Sequence, residues 1–332
     1  MNSLRGARPS ARRLSVLNAA LYAASALVIV AATGAHAQTY PVKPVRVITP
    51  WPPGGLTDVA GRLVFAKISE SLGQQFVIEN RAGATGSIGA DVVAKSPPDG
   101  YTLMVHSASH ISNAYTYPKL PYDTFRDFTP VGLLVAQTGL LVVHPSLPVK
   151  TVKDLISLAR ARPDQLLYAS SGGGSFSHMA FALLNSMTNT KMVHVPYKGG
   201  GQATTAVVSG ESQMLAGTPA AVLTQLQQKR LRLLAVTSDT RLKQFPDTPT
   251  IAESGVPGYE FRGWVAVFAP AGTPKPIVDR LNAEIKKVLE RPDNKLDALE
   301  PWYMTPEQTQ ARMRADYEKY GKIFKIIGTK FD

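Results

Sequence analysis

The sequence predicts an α/β protein of two lobes, each a sheet flanked by helices, with a cleft between them. Three observations carry this. Short runs rich in Val, Ile and Leu alternate with segments of helical period almost from residue 45 onward. The alternation begins again after an apolar stretch, Val131 to Val143. The 332 residues are enough for two ordinary domains.

In order along the chain, Val45 to Thr49 reads as a buried strand, and a Pro/Gly turn follows from Pro50 to Gly55. Leu56, Ala60, Leu63, Val64, Ile68 and Leu72 then recur at helical spacing, with Gly73 as the stop. Phe76 to Glu79 is the next strand. A Gly-rich turn leads into a helix carrying Ile88, Val92 and Val93, halted by Pro97-Pro98, and Tyr101 to His106 is a third strand. This β-α-β-α-β order predicts a parallel, doubly wound sheet with helices on both faces. In the second half, Thr151 with Asp154 three residues on has capping-box spacing and opens a helix. Leu166 to Ala169 is a strand, a Ser/Gly loop follows, and Met179, Leu183 and Met187 mark a helix. Met192 to Pro196, Gln213 to Ala216, Leu231 to Thr237 and Trp264 to Ala269 read as strands. Pro276 begins a helix, and Thr305-Pro306-Glu307-Gln308 caps the last one, whose apolar side carries Met313, Tyr317, Tyr320, Phe324 and Ile327.

The first 37 residues fall outside this pattern. Arg5, Arg8, Arg12 and Arg13 precede a run of mostly apolar residues from Leu14 to Ala32, and Ala35-His36-Ala37 follows. A basic start, an apolar middle and an A-x-A exit predict a secretory signal peptide cleaved near Ala37/Gln38, and Asn18, Ser15 and Ser25 argue against a membrane anchor of that length. With that segment go four of the 36 Lys and Arg and none of the 24 Asp and Glu, so the net charge drops from +12 to +8. The remaining bases are scattered, with no basic run and no alternation with aromatics, so nucleic acid is not an expected partner. The chain has no cysteine, which excludes disulfides, thiolate metal sites and a Cys nucleophile.

In α/β sheets, ligands sit beyond the carboxyl ends of strands, which directs attention to the strand-to-helix turns. The first is Trp51-Pro52-Pro53-Gly54-Gly55-Leu56-Thr57-Asp58. Its glycines allow close backbone approach, and the helix behind presents unpaired amides suited to a carboxylate. Thr57 or Asp58 as a plain N-cap is an equal reading. The second is Ser170-Ser171-Gly172-Gly173-Gly174-Ser175, with His178 one turn into the next helix. Six small residues in a row exceed what a cap needs, which favours a close-approach site over a flexible loop with Ser175 as plain N-cap. On this basis Val at Gly55 or at Gly174 is expected to abolish binding without unfolding. Neither turn has a nucleotide-loop spacing. Ser175 lacks the second Gly of a nucleophile elbow, which leaves an exported serine hydrolase as a weak alternative. His106 and His110 form the only close His pair and have no nearby carboxylate in sequence, so no metal site is expected.

Eight ordered stretches span nearly the whole mature length: Tyr40 to Arg46, Pro52 to Asp58, Glu79 to Ala84, Pro98 to Leu103, Leu120 to Asp123, Tyr168 to Gly172, Val193 to Gly199 and Ala269 to Pro274. On these stretches the mature chain resembles the tripartite tricarboxylate transporter substrate-binding proteins, the Bug family of periplasmic solute receptors. The resemblance implies a two-lobed periplasmic binding protein, type II-like, that closes on a small organic acid and delivers it to a membrane permease. It implies no enzyme activity and no cofactor, and a monomer is expected. Carried over residue by residue, it implies ligand contacts from Gly54, Gly55, Thr57 and Asp58 on one side and Ser171, Gly174 and Ser175 on the other. Trp51 is implied as a cleft wall and Thr218-Pro219 as a further turn facing the cleft. His178, Arg262 and Trp264 complete the expected ligand set, with Arg262 either on the surface or, turned inward, a fork for a second carboxylate. Arg262 and Gln202 stand where the family usually has other residues. By analogy with the family, residues 38–138 plus 258–332 form lobe 1 and residues 139–257 lobe 2. A receptor that presents its bound form to a membrane sensor shares this fold and remains the other reading of its role.

Overall fold

The computed structural model describes residues 40–291, 296 and 299–327. The expected signal segment, the cleavage position and the side chain of Ile327 lie outside the described residues. All elements below belong to the unit that starts at Lys43.

Strand β1 (Val45–Thr49) leads to helix α1 (Leu56–Leu72), then β2 (Phe76–Asn80), a short 3-10 turn at Ala84–Gly86, α2 (Ser87–Ala94), β3 (Thr102–Ser107), α3 (Ser109–Thr116) and β4 (Phe128–Thr138). The chain then crosses into β5 (Leu140–Val143), α4 (Val152–Ala161), β6 (Leu167–Ser170), α5 (Phe176–Thr188), β7 (Val193–Pro196), α6 (Gly200–Val208), β8 (Met214–Gly217), α7 (Pro219–Gln227) and β9 (Arg232–Val236). It returns through β10 (Arg262–Pro270), α8 (Lys275–Glu290), β11 (Glu300–Met304) and α9 (Pro306–Ile327).

Local chemistry sets the boundaries. Gly73 ends α1 in the left-handed conformation at φ 66°, where its amide bonds to Ser69 O. Thr151 and Asp154 form the expected reciprocal capping box of α4. At α9, Thr305 N donates to Gln308 Oε1 (3.0 Å) and Gln308 N to Thr305 Oγ1 (3.3 Å).

Two sheets result. The first has strand order β11-β4-β10-β3-β1-β2, the second β7-β6-β8-β5-β9. The expectation of a parallel sheet holds only in part. β2, β1 and β3 run parallel, as do β7, β6 and β8. β10 is antiparallel to both β3 and β4, and β5 is antiparallel to β8 and β9. The reason is the crossing itself. β4 leaves the first sheet and β10 re-enters it, so these two long strands lie side by side in opposite directions. At the crossing Gly139 N donates to Thr237 Oγ1 (2.8 Å) and Thr237 N to Gly139 O (2.9 Å), which ties the outgoing and returning chains together. A Cβ on Gly139 would lie 2.7 Å from the Phe176 ring, so only glycine fits there.

Candidate functional site

The two sheets flank a cavity of about 390 Å³. It is built from the turns that follow β1, β3, β6, β7 and β8, at the carboxyl ends of the strands.

The first turn is shaped by Asp58. Its carboxylate accepts from Gly54 N (3.0 Å), Asn80 Nδ2 (2.8 Å) and Arg62 Nε (3.0 Å). Asn80 Nδ2 also donates to Trp51 O (2.9 Å), so one buried carboxylate and one amide pin both ends of the loop. Burial pushes the Asp58 carboxyl up, but the bonds from Arg62, Gly54 and Asn80 together outweigh it and hold it below the usual carboxylate range. Gly54 has φ +81°, a left-handed turn that glycine adopts without strain. Gly55, the N-cap of α1, is extended (φ −75°, ψ 165°) and caps nothing with a side chain.

The second turn is held from behind. Ser170 Oγ donates to Gly172 O (3.1 Å) and accepts from Gly172 N (3.1 Å), and Gly174 N donates to His178 Nδ1 (3.0 Å). His178 stacks on His194 with ring centroids 3.9 Å apart, and His194 Nε2 meets Ser170 Oγ. Burial drives both imidazoles down, His178 to about 3 and His194 to about 4, with each other's proximity adding to the effect on His178. Both are therefore neutral at pH 7, as acceptance of a backbone N–H by His178 requires.

Five helix N-termini reach this cavity, those of α1, α3, α5, α6 and α7, and none has a side-chain cap. The helices that do carry capping boxes, α4 and α9, open elsewhere. Uncapped ends leave backbone N–H groups and partial positive charge facing the cavity. Hydroxyls of Thr57, Ser107, Ser109, Ser171, Ser177 and Thr218 join them, while Trp51, Phe176, Leu215 and Ala221 supply apolar wall. Among the described residues no charged side chain lines it. The arrangement suits an anion held by amides and hydroxyls with an apolar body beside it.

Of the expected ligand residues, Trp51, Gly54, Gly55, Thr57, Ser171 and Thr218 line the cavity. Asp58, Gly174, Ser175, His178, Pro219, Arg262 and Trp264 do not. Asp58 and His178 instead shape the two loops. Ser175 is fully buried at the N-cap of α5. Pro219 occupies the first turn of α7, behind Thr218. Arg262 pairs through Nη2 with Glu300 and lies 4.8 Å over the Trp302 ring, so its guanidinium is directed at β11, and Arg262 is not among the residues that line the cavity. Trp264 is wholly buried and donates Nε1 to Asp316 Oδ2 (2.7 Å) as part of the core. Gly174 is in tight lobe-to-lobe contact, since a Cβ there would lie 2.2 Å from Thr116 Oγ1. Valine at Gly174 is thus not the clean binding test that it is at Gly55, where a Cβ meets only Pro52 O at 3.7 Å.

Sequence reasoning overlooked Gln137, the β3–α3 turn at Ser107 and Ser109, and the β7–α6 turn at Gly200, Gly201 and Gln202. The last had a signal: Lys198-Gly199-Gly200-Gly201 repeats the strand, glycine, helix pattern of the other two turns.

Comparison with known proteins places this geometry. The family described as tripartite tricarboxylate transporter family receptor, TctC, matches residues 60–329. A UPF0065 protein from the tcbD-tcbE intergenic region of Pseudomonas sp. strain P51 is 42% identical over 255 residues, 76% of each chain. Protein BugT of Bordetella pertussis is 34% identical over 300 residues, 89% of this chain and 92% of BugT. Among solved structures, R. palustris Rpa4515 with adipate aligns at a TM-score of 0.84 and 38% identity, covering 87% of this chain and 98% of that one. The periplasmic binding protein BugD aligns at 0.81 and 29% identity, over 88% and 99%. MatC from Rhodopseudomonas palustris with bound malate aligns at 0.78 and 31% identity, over 86% and 99%.

Proposed function

This chain belongs to the tripartite tricarboxylate transporter receptor family, and on that premise we propose that it captures a small organic acid between its two lobes and hands it to a permease of the tripartite tricarboxylate type. The carrying observation is the convergence of five uncapped helix N-termini on a cavity without a charged side chain. A carboxylate is the group those ends can hold. Each end contributes about 0.3–1 kcal/mol, up to about 2 when partly buried. Micromolar capture needs about −8 kcal/mol. Amide and hydroxyl hydrogen bonds, some through water, supply the rest. Because these donors come from both sheets, the full set forms only when the lobes close, which couples occupancy to shape.

The adipate and malate of two relatives support a small organic acid as the ligand class. The ligand contacts of the proposal are Trp51, Gly54, Gly55, Thr57, Ser171 and Thr218, with Gln137 and the start of α6 added. The proposal extends to export, with residues 1–37 removed and the mature monomer working in the periplasm without a cofactor. Lobe 1 is residues 38–138 plus 258–332 and lobe 2 residues 139–257, with the crossings at Gln137–Leu140 and Val256–Trp264.

The test is calorimetry on mature protein that has been unfolded and refolded to remove carried ligand, against mono-, di- and aromatic carboxylates including adipate and malate. At least one acid should bind with a Kd near or below the micromolar range. Silence across the panel from folded protein would refute the proposal.

A further inference from the structure

Besides the bonds at the returning crossing, where Tyr259 Oη donates to Ala180 O (2.9 Å) and Phe261 N to Thr237 O (2.8 Å), two hydrogen bonds among the described residues join the lobes outside the cavity. Thr85 Oγ1 donates to Gly173 O (2.9 Å), and Ser112 Oγ donates to Gly174 O (2.6 Å). Both donors belong to the first lobe, one on the 3-10 turn and one on α3. Both acceptors are backbone carbonyls of the Ser/Gly turn in the second. Neither Thr85 nor Ser112 lines the cavity.

The surroundings are built to hold these bonds in place. Thr85 sits in the left-handed region (φ 50°, ψ 34°), which is costly for a β-branched residue and persists only where neighbours impose it. Asn113 Nδ2 donates to Thr85 O (3.1 Å) and fixes that conformation, and Thr85 and Gly86 are buried. Across the gap, Gly172 (φ +119°) and Gly174 (φ +71°) aim the two carbonyls. A Cβ on Gly172 would lie 3.0 Å from Thr85 Oγ1, so the fit admits no side chain. Behind the turn, Ser170 and His178 supply the brace described above.

We propose that Thr85 and Ser112 form a latch that stabilises the closed lobes and so raises affinity for every ligand by the same factor while touching none. The inference rests on the reading of the chain as a closing receptor. In the open form Ser109 O (3.1 Å from Ser112 Oγ) and Tyr117 Oη (3.2 Å from Thr85 Oγ1) remain as partners for the hydroxyls and water meets the carbonyls, so each bond contributes only its net strength, about a fivefold change in the closing equilibrium. A contact that belongs to closure alone cannot discriminate between ligands, whereas a cavity contact can.

The test uses the mature, ligand-stripped chain with Thr85→Val, Ser112→Ala and the pair together, and adipate and malate as probes. Each single change should raise Kd about fivefold and the double change about 25-fold. The factor should be equal for both acids and appear in the dissociation rate, and Thr85→Ser should restore it. An unchanged Kd, or factors that differ more than threefold between the acids, would overturn the latch. Should neither acid bind the wild type, the two best acids of the panel take their place; silence across the whole panel fails that reading separately, and the latch is then read on the free protein. The chain has no cysteine, so Lys95→Cys and Arg230→Cys give one spin label per lobe on exposed positions. The double change should deplete the short interlobe distances, and an unaltered distance distribution would overturn the proposal.

Discussion

Replacement of Gly55 by valine isolates the first helix end from the fold around it. Gly55 has φ −75° and ψ 165°, a region that β-branched residues favour, and its nearest contact for an added Cβ is Pro52 O at 3.7 Å. Gly55→Val should therefore leave the fold intact and, by restricting the unfolded chain, change stability by no more than about 1 kcal/mol in the favourable direction. Binding should respond differently. The added methyl groups stand over the amides that open α1, at the cavity wall formed by Gly55, Leu56 and Thr57. Loss of one hydrogen bond between an amide and a carboxylate costs about 1.5–3 kcal/mol, which is about a 10- to 150-fold rise in Kd. The assay is calorimetry with the best acid of the panel, paired with thermal melts. Gly73→Ala is the opposite control. It forces a side chain into the left-handed C-cap of α1, remote from the cavity, and should cost about 1–2 kcal/mol of stability with no change in Kd. A Gly55→Val protein that melts normally and binds within twofold of wild type would refute the placement of the carboxylate at α1.

Three further outcomes are expected. His110 is wholly buried among Phe128, Phe268, Tyr122 and His106, and burial pushes it down to about 4. Between pH 6.5 and about 4 the unfolded chain takes up a proton that the folded chain refuses, so stability falls as pH falls, by about 2 kcal/mol from this residue at pH 5. Urea titrations of wild type and His110→Leu at pH 7.5 and 5 should show a smaller acid loss in the variant, and equal losses would contradict the assignment. Asp58→Ala removes the acceptor that pins Gly54 and Asn80 and should weaken binding at least tenfold, with Asp58→Asn intermediate, by calorimetry. Gly174→Ala should lower both the melting temperature and the affinity, because its Cβ collides with Thr116 and its φ is positive; a normal melting temperature would count against the closed contact.

Much of this was legible in the sequence, and the reasons for the gaps are local. α1, α4, α5, α8 and α9 announce themselves through apolar period and caps. Glycines disguise α6, which begins Gly200-Gly201-Gln202, and α7 spans only nine residues behind Pro219. No apolar period announces α3, because Ser109, His110, Ser112 and Asn113 are polar residues that the fold nevertheless buries. β11 contains Pro301 and lies at the sheet edge, the position where a strand tolerates proline. The direction of β10 was not readable, because a continuous apolar run suits a parallel or an antiparallel neighbour equally. The turns that carry the cavity could be found from their small residues. The division between residues that face the cavity and those that shape its loops could not. His178 is one helical turn from Ser175, but its orientation is set by His194, sixteen residues further on and across a strand.

The place of β10 also dictates an order of assembly. It is the central partner of both β3 and β4, which do not pair with each other, yet it is made after the whole second sheet. The strands of that second sheet form one uninterrupted segment, residues 140–236, and can be gathered as soon as β9 is available. The first lobe, begun earliest, must keep β3 and β4 apart until residues 262–270 arrive. Its amino-terminal half thus waits with two open sheet edges while the later lobe forms, and contacts of such long sequence separation are slow to close. A polypeptide that stops short of β10 would present paired lobe 2 strands beside a first sheet split down its middle.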